Sequence, residues 1–309
     1  MAIQWYPGHM HKAQKDIKKL LGNVDLIIEI LDARIPFSST NPVIELLSDN
    51  SGNPKPRLKV MNKSDLADPV STKVWEDYFA QSQGVKTLKM SSDKASQVKN
   101  IVTLCHQMFP EHEARLRPIQ AMVVGIPNVG KSTIINLLAG RAIAKTGNEA
   151  AVTKTQQRID LKNGIVLFDT PGMLWPKIEN DNSAYRLAIT GAIKDTVIDY
   201  VEIADYLLEY LLTYHPDTLQ KHFKLDELPR DAYSALEVIG RSRGTMKSGG
   251  RVDLDKISKI IIKEYRSATI GNISLENPIM IENENAIAAQ KAQQKADKKA
   301  ARKKNFKKR

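Results

Sequence analysis

Short apolar runs alternate with segments of helical periodicity over the first 178 residues. Apolar residues at helical spacing predict helices at 10–22, 71–82, 93–108 and 131–139. Four runs predict buried strands, VDLIIEIL (24–31), RLKVMN (57–62), KTLKM (86–90) and IQAMVVG (119–125), and QQRIDLK with IVLFDT predicts a hairpin across Asn163-Gly164. Strands that alternate with helices are typical of an α/β fold with a doubly wound, mostly parallel sheet.

Beyond Pro176 the pattern changes to helical spacing with few strand signals, as in TVIDYVEIADYLLEYLLTY and DLDKISKIIIKEYRSATIG. These segments predict an all-helical second domain over residues 179–282. Residues 283–309 follow as a basic tail, which we expect to be disordered because like charges repel one another. The sequence therefore predicts an α/β domain over residues 1–178, a helical domain and a tail.

Positive charge is concentrated in that tail. The chain has a net charge of +11, and residues 286–309 hold ten lysines and arginines against one acid, Asp297. A block of this kind attracts polyanions through counterion release, so RNA is the expected partner. A solubilising tail is the alternative, and binding to a membrane surface is disfavoured because the segment has no large apolar face.

The remaining composition indicates a compartment. The single cysteine, Cys105, excludes an internal disulfide and fits a reducing environment. The first residues contain no apolar segment of signal-peptide length, and no run reaches the roughly 18 apolar residues of a membrane helix. We therefore expect a cytoplasmic protein without membrane association.

GIPNVGKST (125–133) matches the phosphate-loop pattern G-x-x-x-x-G-K-[ST], between a predicted strand and a predicted helix. Glycines allow backbone N–H groups to surround phosphate oxygens, and the helix N-terminus favours negative charge. Lys131 is expected at the β- and γ-phosphates, Ser132 on Mg²⁺ and Thr133 at the α-phosphate. The rest of the loop adds three candidates for nucleotide binding, Asn128, Val129 and Gly130.

DTPG (169–172) follows an apolar strand, 38 residues after Lys131. Asp169 is expected to hold Mg²⁺ through water, and the N–H of Gly172 to meet the γ-phosphate, so that its position changes on hydrolysis. Between the two motifs lies EAAVTKTQQ, in which Thr153 or Thr155 could complete the Mg²⁺ shell; we favour Thr153. A solvated loop threonine is the alternative.

NKSD (62–65) resembles the guanine-reading tetrad of GTPases, but it precedes the phosphate loop instead of following it. The Asp65 carboxylate could accept N–H bonds from guanine N1 and N2, which adenine does not offer as a pair. Asn62 is expected to bond the base or the phosphate loop, and the stem of Lys63 to cover the ring face. Ser91 and Ser92 could present a hydroxyl or a backbone N–H to guanine O6.

The three motifs in this order, together with WYPGHM (5–10), DARIPFSSTNP (32–42) and DTPGMLWPK (169–177), resemble the ribosome biogenesis GTPase A family of circularly permuted GTPases. The resemblance extends from the start to about residue 280. It implies a circularly permuted P-loop GTPase domain, slow hydrolysis of GTP to GDP, and stimulation by the maturing large (50S) ribosomal subunit and its rRNA. Permutation leaves the site intact, because ligands of open α/β sheets bind at the carboxyl ends of the strands. We expect a monomer.

The sequence departs from the usual GTPase pattern after DTPG. Met173 stands where many GTPases carry the glutamine that orients the attacking water. The resemblance implies that His9 supplies this function; a histidine that only positions the N-terminal arm is the alternative. Asn128 matches an asparagine that helps to hold K⁺ in related GTPases. Ala150-Ala151 replaces the family's Pro-Gly before Thr153, and Ser91-Ser92 replaces its serine-alanine, which favours a backbone contact there.

GRSRGTMKSGGR (240–251) carries four basic side chains among glycines. Arg241, Arg243, Lys247 and Arg251 could follow an RNA backbone, with a flexible loop as the alternative. Two further functions remain open: a nucleotide-gated RNA-binding scaffold whose hydrolysis is incidental, and a GTPase that acts on tRNA or membranes. A P-loop kinase is disfavoured, because no acceptor site is apparent and Asp65 favours guanine.

Overall fold

A computed structural model describes residues 3, 5–49, 54–111, 117–144 and 157–307. Six strands form one sheet: β1 (Leu26–Asp32), β2 (Arg57–Asn62), β3 (Val85–Lys89), β4 (Ile119–Gly125), β5 (Gln157–Asp160) and β6 (Ile165–Asp169). The helices around it are α1 (Gly8–Leu20), α2 (Pro42–Asp49), α3 (Pro69–Ala80), α4 (Ala95–Met108) and α5 (Lys131–Ala139). The predicted strands and helices are present, with ends that differ by up to about two residues.

The strand order is β3-β2-β1-β4-β6-β5, and only the edge strand β5 runs antiparallel to its neighbour. The mostly parallel sheet is therefore confirmed. β1 pairs with β2 so that Asp32 faces Asn62, and β4 pairs with β6 so that Val123 faces Asp169. This register brings the ends of NKSD, the phosphate loop and DTPG to one edge of the sheet.

The sequence did not predict α2, which follows DARIPFSSTNP. It begins after Asn41, whose Oδ1 accepts a hydrogen bond from the backbone N–H of Val43 at 3.0 Å. Its helical face is short, with Ile44 and Ser48 buried. Eight residues give too few helical turns for a clear periodicity, which is why the sequence pattern missed the helix.

The second part of the chain is helical, as predicted. Its elements are α6 (Asp181–Ile189), α7 (Tyr200–Tyr214), α8 (Pro216–Phe223), α9 (Ala232–Ser242) and α10 (Leu254–Arg266). Buried residues of these helices, such as Leu207, Leu236 and Ile261, belong to the same continuous apolar core as the sheet. Within the described residues, no helix is both long enough and apolar enough to cross a membrane.

The expectation of a disordered tail from residue 283 is wrong for the described backbone, because α11 (Pro278–Lys307) continues through it. Alanine, lysine and glutamine are good helix formers, and the first turns are anchored to the folded body. Ile281 is buried beside Trp75, and Glu284 accepts hydrogen bonds from Arg186 at 2.6 and 2.8 Å. The predicted boundary at residue 282 therefore falls inside a helix.

Candidate functional site

The phosphate loop leaves β4 at Gly125 and enters α5 at Lys131. Glycine is required at two of its positions. A Cβ on Gly125 would lie 2.5 Å from the backbone oxygen of Ile30, and one on Gly130 would lie 2.4 Å from Nδ2 of Asn62. Gly130 also has a φ of +94°, which glycine adopts without steric cost. The loop is thus pressed against the ends of β1 and β2.

Lys131 lies in the first turn of α5 and is buried. Its ammonium donates to the carbonyl oxygens of Gly125 and Ile126, both at 3.3 Å. Burial lowers the pKa of Lys131 to about 8, and the nearby charge of Asp169 offsets this only in part. The ammonium is therefore held inside the loop with weak protein partners, a position suited to an incoming phosphate.

Asp169 ends β6 and is fully buried. Among the described residues, neither carboxylate oxygen has a hydrogen-bond partner of good geometry. Burial raises the pKa of Asp169 to about 6; Lys131 and the backbone N–H of Thr170 oppose the shift without cancelling it. A buried carboxylate with so few partners fits a site for a hard divalent cation such as Mg²⁺.

The segment after Asp169 is fixed to the sheet. The hydroxyl of Thr170 donates to the backbone oxygen of Val123 at 2.8 Å, and the N–H of Met173 donates to Gly125 at 3.3 Å. A Cβ on Gly172 would lie 3.1 Å from Nζ of Lys131, so the backbone of Gly172 packs directly on the ammonium. Met173 itself is buried. DTPG and the phosphate loop therefore form one continuous surface.

Asn62 joins the base-reading loop to the phosphate loop. Its Nδ2 donates to the backbone oxygen of Val129 at 2.8 Å, and its Oδ1 accepts from the N–H of Ser92 at 3.0 Å. Of the two roles predicted for Asn62, contact with the phosphate loop is the one present. The N–H of Ser91 donates to Oε1 of Gln97 at 2.8 Å. Both serine amides are thus already bonded within the protein, which does not favour the predicted backbone contact with guanine.

Lys63 and Asp65 complete this side of the site. Lys63 has a φ of +59°, and its ammonium donates to the backbone oxygen of Asn128 at 2.7 Å and to the Asp32 carboxylate at 3.0 Å. Asp65 is exposed, and its backbone oxygen accepts a bond from Nδ2 of Asn272 at 2.6 Å. An exposed carboxylate beside the phosphate loop is accessible to a base. The sequence did not assign a role to Asp32 or Asn272.

Other predicted residues lie as follows. Asn128 has a φ of +61°, and its Nδ2 donates to the backbone oxygen of Gly191 at 2.7 Å, so its amide nitrogen reaches the helical region. Ser132 and Thr133 lie in the first turn of α5, half-buried and exposed respectively. His9 lies in the first turn of α1, edge-on to Trp5 with ring centroids 6.4 Å apart. Thr153 lies outside the described residues.

The basic segment 240–251 is more ordered than a flexible loop. Arg241 belongs to α9, and an antiparallel bridge pairs Met246 with Val252. Arg243 is paired with Glu264 at 3.3 Å and lies over the ring of Phe223. The remaining pairs are looser, since Lys247 lies 3.4 Å from Asp253 and Arg241 lies 3.9 Å from Glu237. Arg251 is exposed. Arg243 is thus partly a structural residue.

Comparisons with known proteins agree with this geometry. A family model described as 50S ribosome-binding GTPase matches residues 120–224. "Ribosome biogenesis GTPase A" of Priestia megaterium is 42% identical over 286 residues, which cover 90% of this chain and 98% of the relative. The protein of that name from Thermotoga maritima is 29% identical and covers 89% of this chain and 95% of the relative. A crystal structure of GNP-bound YlqF from T. maritima matches with a TM-score of 0.60 at 25% identity, over 86% of this chain and 98% of that one.

Proposed function

The chain belongs to the ribosome biogenesis GTPase A family and is a GTPase, and from this premise we propose that it binds the large ribosomal subunit and hydrolyses GTP in response. The printed family description, 50S ribosome-binding GTPase, supports the choice of partner. We propose that the chain acts as a monomer, with a GTPase domain over residues 1–178 and a helical RNA-binding domain over residues 179–282. The basic part of α11 would add electrostatic attraction to rRNA.

One observation carries the proposal for the site. Lys131 and Asp169 are both buried, yet neither finds a strong ionic partner in the described residues. Ionised groups are buried in proteins when they are paired or when they bind a ligand of opposite charge. A nucleoside triphosphate with its metal supplies both missing charges, the phosphate oxygens to Lys131 and the cation to Asp169.

We propose that Ser132 and Asp169 hold Mg²⁺, with Thr153 as a third group. When bound, the ion supplies positive charge to the β- and γ-phosphate oxygens. The donor set supports this assignment, because hard cations prefer hydroxyl and carboxylate oxygens. The amide oxygen of Asn128 is proposed for K⁺; its amide nitrogen already bonds Gly191, which would orient the oxygen.

The chain's own residues would then perform the remaining tasks. Lys131, the N–H groups of the phosphate loop and the N–H of Gly172 bind and orient the phosphates. Asp65 selects guanine. Met173 cannot orient a water molecule, so we propose that intrinsic hydrolysis is slow and that His9 supplies this function when the subunit is bound.

A steady-state GTPase assay tests the proposal. Rates are measured with and without purified 50S subunits, in K⁺ and in Na⁺, with free tRNA and lipid vesicles as alternative activators. We expect stimulation by 50S subunits alone, and a larger rate in K⁺. Equal rates with and without subunits would contradict the proposed partner, and stimulation by tRNA or vesicles would favour a different one.

Two histidines on one helix provide a matched pair for the role of His9. His9 and His11 both lie in the first turns of α1. His9→Ala is expected to abolish most of the stimulation by 50S subunits while GDP affinity stays unchanged, and His11→Ala to retain the stimulation. Equal effects of the two substitutions would reduce His9 to a residue that positions the N-terminal arm.

The RNA-binding assignment needs its own test. Arg251→Ala removes an exposed cation of the basic segment, and Arg230→Ala removes one that is 87% exposed elsewhere in the helical region. Each phosphate contact that is lost should reduce the slope of log affinity against log salt by about one. We expect that reduction for Arg251→Ala and none for Arg230→Ala. The same slope for both variants would contradict the assignment.

A further inference from the structure

The segment DAR, residues 32–34, lies directly behind the base-reading loop. Asp32 is the last residue of β1 and pairs in register with Asn62, the last residue of β2. Its carboxylate is buried and receives four hydrogen bonds, from the backbone N–H of Arg34 at 3.1 Å, from the Arg34 guanidinium at 2.9 and 2.8 Å, and from the Lys63 ammonium at 3.0 Å. Every donor is thus a group of DAR or of NKSD.

Lys63 depends on these bonds for its place. A lysine with a φ of +59° occupies a backbone region that is sterically unfavourable for any residue with a Cβ. Such a conformation persists where surrounding contacts fix it. The contacts available are those of its ammonium, to Asp32 and to the backbone oxygen of Asn128. If Asp32 were lost, the loop that carries Asp65 would lose the principal bond holding it.

Arg34 connects the same point to the helical region. Its backbone oxygen accepts from the N–H of Leu275 at 2.9 Å, and its guanidinium reaches the backbone oxygen of Arg266 at 3.3 Å and lies over the Tyr265 ring. The side chain of Arg266 in turn donates to the end of α6 at Ala188 and Ile189. α6 is followed by Gly191, whose backbone oxygen is bonded to Asn128 of the phosphate loop.

The contacts therefore close on themselves, from Asn128 through Lys63, Asp32, Arg34 and the helical region back to Asn128. We propose that Asp32 and Arg34 are positioning residues for guanine recognition. Asp32 holds Lys63 in the conformation that presents Asp65 to the base, and Arg34 fixes Asp32 to the helical region. Guanine affinity and selectivity then depend on helices that do not contact the nucleotide. This inference rests on the guanine site proposed above.

A matched control exists on the same two strands. Glu29 of β1 is also buried and also pairs with a lysine of β2, Lys59, at 3.0 Å. Glu29 lies three positions before Asp32, and its carboxylate contacts Lys59 and the backbone N–H of Asn41, not NKSD. Asp32→Asn and Glu29→Gln each remove one charge from a buried carboxylate–lysine pair with little change in volume. They differ in whether the lysine belongs to the base-reading loop.

The test measures dissociation constants for GDP and for inosine diphosphate, which lacks the 2-amino group, with kcat at saturating GTP and thermal unfolding. For Asp32→Asn we expect GDP binding to weaken about ten- to hundredfold, the scale of a lost charge-assisted hydrogen bond. The preference for GDP over inosine diphosphate should fall as well, while kcat changes little. Glu29→Gln should lower the unfolding temperature but keep that preference.

Folded Asp32→Asn protein with unchanged affinity and preference would overturn the inference, as would an equal loss of preference in Glu29→Gln. If Asp32→Asn does not fold, Arg34→Lys decides, because it keeps the charge and loses the planar fork. It should lower the preference for GDP; an unchanged preference overturns the inference. Wild-type protein that does not prefer GDP would contradict the proposed function itself, whatever the variants do.

Discussion

The two sides of the nucleotide site are built in opposite ways. On the base side, Asp32 and Lys63 form a buried pair in which protein donors saturate the carboxylate; burial opposes its ionisation, but Arg34 and Lys63 hold the pKa of Asp32 well below its usual value. On the phosphate side, burial raises the pKa of Asp169 to about 6 and lowers the pKa of Lys131 to about 8. The base side is complete in the protein alone, whereas the phosphate side is complete only with charged ligands.

This difference has a consequence for stability. Charged groups on the base side stabilise the fold, so their removal should cost both stability and function. Charged groups on the phosphate side are buried at a net cost, so their removal should abolish function and increase stability, as is common where an active site is strained for its task. Four substitutions test that contrast, from the largest expected effect to the smallest.

Lys131→Met keeps the apolar stem and removes the ammonium. Hydrolysis should fall by about 10²–10³-fold, the scale of losing one electrostatic group at a transition state. Because the folded pKa lies below the unfolded one, the variant should gain about 2–3 kcal/mol of unfolding free energy at pH 7, an advantage that shrinks as pH rises above about 8. Single-turnover hydrolysis and urea unfolding measure the two effects. A less stable Lys131→Met would break the contrast.

Asp169→Asn removes the unpaired carboxylate. We expect about 10²-fold slower hydrolysis, with Mg²⁺ binding weakened. The folded pKa of about 6 lies above the unfolded value of 3.8, so the charge costs stability at pH 7, and wild type regains it as pH falls through 6. The variant should therefore be more stable by about 1–2 kcal/mol at pH 7 and no more stable below about pH 4. A pH-independent difference would show that desolvation of the charge is not the cause.

Asn62→Ala tests the base side. The substitution leaves the oxygen of Val129 and the N–H of Ser92 without their partner in a buried place. We expect a loss of about 1–3 kcal/mol in unfolding free energy, together with about tenfold weaker GDP binding. The sign of the stability change is opposite to that of the phosphate-side variants. Increased stability in Asn62→Ala, seen by denaturant unfolding, would remove the distinction between the two sides.

Ser92→Ala should have the smallest effect. The bond from Ser92 to Asn62 uses the backbone N–H, which the substitution keeps. Stability should change by less than about 0.5 kcal/mol and GDP affinity by less than about twofold. A large loss of affinity, measured by fluorescent-nucleotide titration, would mean that the hydroxyl itself contacts guanine.

The sequence predicted what depends on local pattern. Periodicity gave the strands and most of the helices of the GTPase domain, and the spacing around Lys131 and Asp169 identified the phosphate side, because its motifs are short and continuous. The helical second part was also predicted, whereas the tail was wrong. Its charge pattern indicated disorder, but its alanines favour a helix once Ile281 and Glu284 anchor the first turns.

The base side was predicted only in part. NKSD identified Asn62, Lys63 and Asp65, but the groups that hold them come from distant segments: Asn272 is 207 residues from Asp65, and Arg266 is 232 residues from Arg34. A single sequence contains no periodicity that links such positions. Asp32 and Arg34 were visible only as a part of the motif DARIPFSSTNP, and their role required the hydrogen-bond partners.

The ionisation of Asp169 tests the account most directly. Carboxyl carbons of aspartate can be labelled with ¹³C and titrated by NMR in nucleotide-free protein and again with Mg²⁺ and a non-hydrolysable GTP analogue. The predicted result is a titration near pH 6 in the free protein that moves below the usual value of 3.8 when metal and nucleotide bind. A usual titration in the free protein, or one that the ligands do not move, would contradict the claim that the phosphate side is left for its ligands to complete.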